Sequence, residues 1–202
     1  MEALKYILIA VGGYLLGSVN ISIIVSNLKG GDVRKKGSGN AGATNMARAY
    51  GIGFGFLTLA GDFLKACVVM HLAWLLGGEW GLTVGGIACA VGHCFPVFYG
   101  FRGGKGISVG AAVGLAVDWR VFVGIVIVFL VVAFCTRKVS FGSVSAAVAL
   151  VVIALVIRSP LPRLILGCCV AAIALFQHRA NIKRLIIGTE PDFRAGKAKK
   201  GK

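Results

Sequence analysis

The amino-acid sequence predicts an all-α, polytopic membrane protein with about seven transmembrane helices, its N-terminus outside and its C-terminus cytoplasmic, on three observations. First, 57% of the 202 residues are hydrophobic and 14% are charged, with a mean hydropathy of +0.87, more apolar surface than one water-soluble core can hide. Second, the apolar residues come in long blocks rather than at strand or amphipathic-helix periods, as in helices that cross roughly 30 Å of hydrocarbon. Third, the cations gather between alternate blocks.

The blocks run over 4–26, 53–77, 81–98, 107–118, 120–135, 140–157 and 162–178. The first carries Glu2 and Lys5 and lacks a small-residue cleavage site followed by a soluble domain, so it reads as a retained span rather than a signal peptide. The fourth and fifth are short and share the hinge Asp118-Trp119-Arg120, which leaves open two spans or one re-entrant hairpin. With the N-terminus outside, seventeen of the 22 Lys and Arg residues fall inside; Lys5, Arg120, Arg158 and Arg163 fall outside and Lys65 lies within the second block. That asymmetry is the signature of cytoplasmic loops, and an odd number of spans returns the C-terminus inside. Residues 1–193 read as one transmembrane domain and 194–202 as a basic, flexible cytoplasmic tail beside anionic lipid. Without a repeat of 20–50 residues, an inverted-repeat transporter gains no support.

The net charge of +15 does not imply a nucleic-acid partner, because no basic stripe is interleaved with exposed aromatics. Cys67, Cys89, Cys94, Cys135, Cys168 and Cys169 lie in apolar segments without CxxC spacing and read as small buried hydrophobes, not as metal ligands.

The same topology puts four polar segments on one face. In 37–45, glycines, Ser38, Asn40, Thr44 and Asn45 precede Arg48, a composition that lets backbone and side chains donate to an anion; alone, it is equally a flexible turn capped by Thr44 or Asn45. The segment from Gly92 and His93 to Gly106 ends in Arg102-Gly103-Gly104-Lys105-Gly106, two cations among glycines where the fourth block begins. It is not a Walker A loop, since Ile107 follows Gly106, and a plain positive-inside turn would look similar. The third segment, 136–145, joins cations to Ser140, Ser143 and Ser145, and the fourth runs from His178 through Asn181 to Glu190, otherwise an interfacial helix. Asp62 and Lys65, at i and i+3 inside the second block, can face one another within the bundle, either in support of the site or as a structural ion pair.

Taken together, GSGNAGATNMAR at 37–48, GDFLKA at 61–66, GHCFPVFYGFRGGKGI at 92–107, TRKVS at 136–140 and HRANIKRLIIGTEPDF at 178–193 resemble the bacterial acyl-phosphate:glycerol-3-phosphate acyltransferase family, in family order. Ala41, Arg102 and Lys138 depart mildly from its pattern, where proline, lysine and an aromatic residue are common. The resemblance implies a seven-span enzyme of the bacterial inner membrane, its active site facing the cytoplasm. It would transfer a fatty acyl group from acyl phosphate to glycerol 3-phosphate, giving lysophosphatidic acid and inorganic phosphate, with membrane lipid around it, as a monomer and without a cofactor. Carried over by motif, Ser38, Arg48, Lys105, His178 and Asn181 are the implied catalytic set. Asn40, Thr44, Asn45, His93, Arg102, Gly103, Gly104, Ser143 and Glu190 are the implied substrate-binding or supporting set.

An acyl phosphate is already activated, so direct attack by the glycerol hydroxyl suffices, the proton going to His178, water or the substrate's own phosphate. The His-x4-Asp pattern of other glycerolipid acyltransferases is absent, because Leu76, Phe98 and Lys183 stand five residues past His71, His93 and His178. A transporter of phosphate or a phosphorylated metabolite is the rival reading and would move label across a proteoliposome membrane. A magnesium-dependent head-group transferase lacks an aspartate cluster, and a purely structural membrane protein leaves the four polar segments unexplained.

Overall fold

A computed structural model describes residues 2–193; the basic tail read from the sequence lies outside the described residues. The chain is helical in this order: α1 (Glu2–Ser18), α2 (Ile21–Leu28), α3 (Ala43–Tyr50), α4 (Ile52–Cys94), α5 (Ile107–Val117), α6 (Trp119–Thr136), α7 (Val139–Val156), α8 (Leu161–Gln177) and α9 (Arg179–Ile186). Short 3-10 turns occupy Val33–Lys35 and Val97–Tyr99.

Every apolar block is built on a helix, but three depart from a simple rod. The first divides at Val19-Asn20, where Asn20 caps α2 by accepting from the Ile23 amide at 3.2 Å. The second and third are two limbs of α4, because Gly77 and Gly78 leave helical geometry, Gly78 at φ +58. A side chain on Gly81 would strike the Ala73 carbonyl and one on Gly85 the Ala73 methyl, so limb 79–94 folds back on limb 52–76. The left-handed φ at Gly78 favours glycine at this turn.

Among the described residues, four segments are long and apolar enough to cross a membrane: Glu2–Leu28, Ile52–Tyr99, Trp119–Thr136 and Val139–Val156. The pair Leu161–Gln177 and Arg179–Ile186, bent by 62°, makes a fifth. At 1.5 Å per residue the eleven residues of α5 reach only about 16 Å, so α5 does not cross by itself.

Helices α1 and α4 meet through small residues. A side chain on Gly17 would meet the Cys89 backbone, and one on Gly92 would meet the Tyr14 carbonyl, so the helix axes come close enough for backbone-to-backbone packing. The core is aliphatic, with Val109, Val113, Val121, Leu166 and Val170 all at or near zero exposure. Large apolar side chains such as Leu8, Leu75, Ile127 and Phe134 point outward, where lipid takes the place of water. Cys89 and Cys94 are buried as expected, whereas Cys135 and Cys168 stand exposed on this lipid-facing surface, a correction to the uniformly buried reading.

Candidate active site

The four polar segments converge on one cavity of about 610 Å³. Ser38, Asn40, Thr44, Asn45 and Arg48 line it from the first segment, His93 and Lys105 from the second, Ser143 from the third, and His178, Asn181 and Glu190 from the fourth.

The first loop is shaped from within. The Asn45 amide donates to the Val33, Lys36 and Asn40 carbonyls at 3.0, 2.9 and 3.0 Å, and its oxygen accepts from the Ser38 amide at 3.0 Å. Asn45 is therefore a brace rather than a cap, since α3 begins at Ala43 behind an uncapped Gly42. Gly37 and Gly39 both take left-handed φ, which turns the Ser38 hydroxyl toward the cavity wall. Arg34, paired with Asp32 at 2.8 Å, donates to the Tyr99 carbonyl at 2.6 Å and ties this loop to the second. That contact holds the Asp32 carboxyl below its usual range.

The second loop brings Lys105 to the cavity but not Arg102, Gly103 or Gly104. Gly103 and Gly104 donate their amides to the Cys94 and His93 carbonyls at 3.2 and 3.1 Å, and neither they nor Arg102 line the cavity. Their role here is to fold the loop. In the first turn of α5, Gly106, Ile107 and Ser108 line the cavity ahead of the first helical hydrogen bond, so their amides are not used within the helix. Gly104 also accepts from Gln177 at 3.1 Å, linking the loop to α8.

Lys105 leads a polar chain across the mouth. Its Nζ donates to Asn181 Oδ1 at 2.5 Å, Asn181 Nδ2 donates to Glu190 Oε1 at 2.7 Å, and Ser140 and Arg184 donate to the same carboxylate at 2.6 and 2.7 Å. Burial, opposed by Glu190 and reinforced by Arg184 and Arg48, pushes the Lys105 pKa below its ordinary value. Burial works against Glu190 ionising, but hydrogen bonds from Ser140, Asn181 and Arg184 outweigh it and hold the carboxyl below its usual range. Arg48 makes no ion pair or hydrogen bond among the described residues, so its five donors stand free at the cavity wall. Ser143 spends its hydroxyl hydrogen on the Val139 carbonyl at 3.0 Å and presents its oxygen to the cavity.

His178 has a fixed tautomer. Its Nδ1 lies 2.8 Å from the Ala174 carbonyl, which can only accept, so Nδ1 carries the hydrogen and Nε2 keeps a lone pair. Asp62 and Lys65 pair at 2.8 Å inside the bundle as their spacing implies. Lys65 also reaches the Val19 carbonyl, freed by the α1–α2 break, at 2.6 Å.

Below this polar mouth the cavity turns apolar. Phe56, Leu59 and Phe63 of α4, Phe122, Val126, Phe129 and Leu130 of α6, and Ala146, Ala147 and Leu150 of α7 line a groove. Phe56 and Leu130 are largely exposed, so the groove opens sideways between α4 and α6. Ser108, Ser140 and Arg184 were not singled out from the sequence as site residues. Ser108 follows the glycine-lysine-glycine run by two residues, and Arg184 lies one helical turn past Asn181, so both had a signal in spacing.

A cationic mouth over an apolar groove fits a substrate with a phosphate head and a fatty tail. The family model described as glycerol-3-phosphate acyltransferase matches residues 7–188. The chain belongs to the glycerol-3-phosphate acyltransferase family. A member from Rubrobacter xylanophilus is 40% identical over 188 residues, covering 93% of this chain and 94% of its own. One from Aquifex aeolicus is 36% identical over 192 residues, covering 94% of this chain and all of its own. The crystal structure of PlsY, an integral membrane glycerol 3-phosphate acyltransferase, in its glycerol 3-phosphate form superposes with a TM-score of 0.88 at 36% identity, covering 93% of this chain and 94% of that one. Its lysophosphatidic acid form gives 0.86 at 35% identity over the same shares.

Proposed function

We propose that this acyltransferase takes its acyl group from an acyl phosphate and delivers it to a hydroxyl of glycerol 3-phosphate, at the cytoplasmic face of a bacterial inner membrane. The observation that carries the reading is the single cavity in which Arg48, Lys105 and Arg184 stand above an apolar groove open to the side. The tail of an acyl phosphate enters the groove from lipid, and its phosphate meets the cations and the first-turn amides of α5. Glycerol 3-phosphate enters from water against Arg48, Ser38 and Asn181.

The hydroxyl oxygen attacks the acyl carbonyl carbon, the carbonyl carbon–oxygen bond to phosphate breaks, and inorganic phosphate leaves with the electron pair. The Nε2 lone pair of His178 takes the hydroxyl proton, which passes to the departing phosphate. Cations and amides fixed before the substrate arrives stabilise the charge that develops on carbonyl and phosphate oxygens. Ser38 and Ser143 serve as polar ligands; no acyl-enzyme is required when the leaving group is already good.

The same reading has seven passes with the N-terminus outside, which the charge asymmetry of the loops supports. The four polar segments meet at one mouth, so each pair of intervening helices goes out and returns: the two limbs of α4, α5 with α6, and α7 with α8. Helix α5, at eleven residues, completes its return leg only together with the loop 95–106 before it. One chain carries a complete set of proposed ligands, which supports a monomer as the catalytic unit.

The test is release of inorganic phosphate by purified protein in lipid, given palmitoyl phosphate with and without glycerol 3-phosphate, with mass detection of lysophosphatidic acid. Release that depends on glycerol 3-phosphate and matches the lipid product is expected. Activity with acyl-CoA but none with acyl phosphate refutes the donor assignment.

A further inference from the structure

The buried trio Asp62, Lys65 and His93 lies at the inner wall of the cavity, and the reaction described above uses none of it. Asp62 and His93 are 1% and 3% exposed, and both line the cavity. Lys65 Nζ has three neighbours at bonding distance: Asp62 Oδ1 at 2.8 Å, the Val19 carbonyl at 2.6 Å and His93 Nδ1 at 3.2 Å. An ammonium has three donors and no acceptor. Carboxylate and carbonyl take two of them, and the third is satisfied only if His93 Nδ1 offers a lone pair. A hydrogen on Nδ1 would face the ammonium donor to donor, with Asp62 Oδ1 too far, at 3.6 Å, to accept it well.

His93 is therefore the neutral tautomer with its hydrogen on Nε2. That nitrogen makes no hydrogen bond among the described residues. It lies against Gly104, where an added Cβ would collide with it. The two cavity histidines thus carry opposite tautomers: His178 presents a lone pair at Nε2 and His93 presents a donor.

We propose that Lys65 and Asp62 lock His93 as an Nε2–H donor, and that this hydrogen binds an anionic oxygen of the reacting phosphate. The assignment of the oxygen rests on the acyltransfer reading; the tautomer does not. His93 is then a ligand of the reacting anion, and Lys65 and Asp62 are positioning residues acting through it. The arrangement also accounts for a charged pair inside a membrane segment, where such groups are expensive and are retained at working sites.

The first measurement is 15N NMR of histidine-labelled protein in lipid, with His71→Gln and His178→Gln samples to assign the three residues. A protonated Nε2 and bare Nδ1 at His93 are expected, with the Nε2 signal moving when inorganic phosphate is added. A protonated Nδ1, or no response to phosphate, overturns the proposal even if the chain proves inactive. The second measurement compares side-chain mimics, because glutamine places an amide N–H near Nε2 whereas asparagine reaches only the Nδ1 position. His93→Gln should be at least tenfold more active than His93→Asn in kcat, the loss expected for a hydrogen bond to a charged group. Equal activities overturn the donor role. Lys65→Met should populate the other tautomer in the NMR spectrum and lower kcat with little change in KM; an unchanged tautomer removes the locking role.

Discussion

Replacing Lys105 with methionine isolates one charge at the mouth of the cavity. The thioether keeps most of the apolar stem and so preserves packing, while the ammonium that bonds Asn181 Oδ1 at 2.5 Å is lost. Asn181 remains held, because its Nδ2 still donates to Glu190 at 2.7 Å. What changes is the interaction with a phosphate oxygen. A charge-assisted hydrogen bond contributes about 1.5–3 kcal/mol, a factor of roughly 10 to 150. Taking the full Coulomb attraction at about 4 Å with an effective dielectric near 20 gives about 4 kcal/mol, roughly a thousandfold, as the ceiling. Arg48 and Arg184 stay in the cavity wall and share the anion, so a loss of about a hundredfold in kcat/KM for glycerol 3-phosphate is the expected result. The assay is phosphate release in lipid at saturating palmitoyl phosphate, with circular dichroism and thermal melting to confirm an intact fold. A loss under threefold in a folded variant refutes the assignment of Lys105 to phosphate.

Three further outcomes follow from the same geometry. Since burial and two neighbouring arginines lower the Lys105 pKa, kcat/KM should fall on the alkaline side below pH 10.5, as the ammonium is lost; the Lys105→Arg variant, charged throughout, should lack that limb whatever its absolute rate. Gly17→Leu forces a side chain into the Cys89 backbone and should destabilise the protein by about 1–3 kcal/mol through overpacking, read as a lower melting temperature in detergent; an unchanged melt would show that α1 shifts freely. Ala146→Phe fills the apolar groove beside Phe129 and should reduce turnover of palmitoyl phosphate at least fivefold more than that of a short-chain acyl phosphate; equal effects on both would place the tail elsewhere.

The membrane class, the block order and the convergence of four polar segments were legible because hydropathy and charge asymmetry act through the solvent, which needs no knowledge of tertiary contacts. The Asp62–Lys65 pair was legible too, since three residues on one helix fix their distance. Its third partner was not: His93 lies 28 residues away and meets Lys65 only because Gly77 and Gly78 reverse the chain. The break at Val19-Asn20 also escaped notice, as one buried asparagine barely dents the hydropathy of its block. The family resemblance implies Arg102, Gly103 and Gly104 as substrate ligands, and two of their amides close the loop on Cys94 and His93. A glycine run shows where backbone approach is possible, not which partner takes it.

The site's position follows from what a bilayer forbids. Interrupting a helix frees carbonyl and amide groups that hydrocarbon cannot solvate, so every break must be satisfied by protein or open to a wet cavity. Here the breaks at Val19, at Phe95 to Gly104 and after Gln177 lie beside one such cavity, whereas the reversal at Gly77-Gly78 lies away from it. The carbonyl freed at Val19 takes the Lys65 ammonium, that of Phe95 takes the Tyr14 hydroxyl and that of Gly104 takes Gln177, while the Ala174 carbonyl, already the acceptor of the His178 amide, also takes His178 Nδ1. The first three of these bonds satisfy a backbone group, and two of the four fix a side chain that faces the cavity or positions one that does. The polar residues that let the helices break are therefore the ones that orient the chemistry. This is why Lys65 belongs to the working site although it lies within an apolar block and never reaches the mouth.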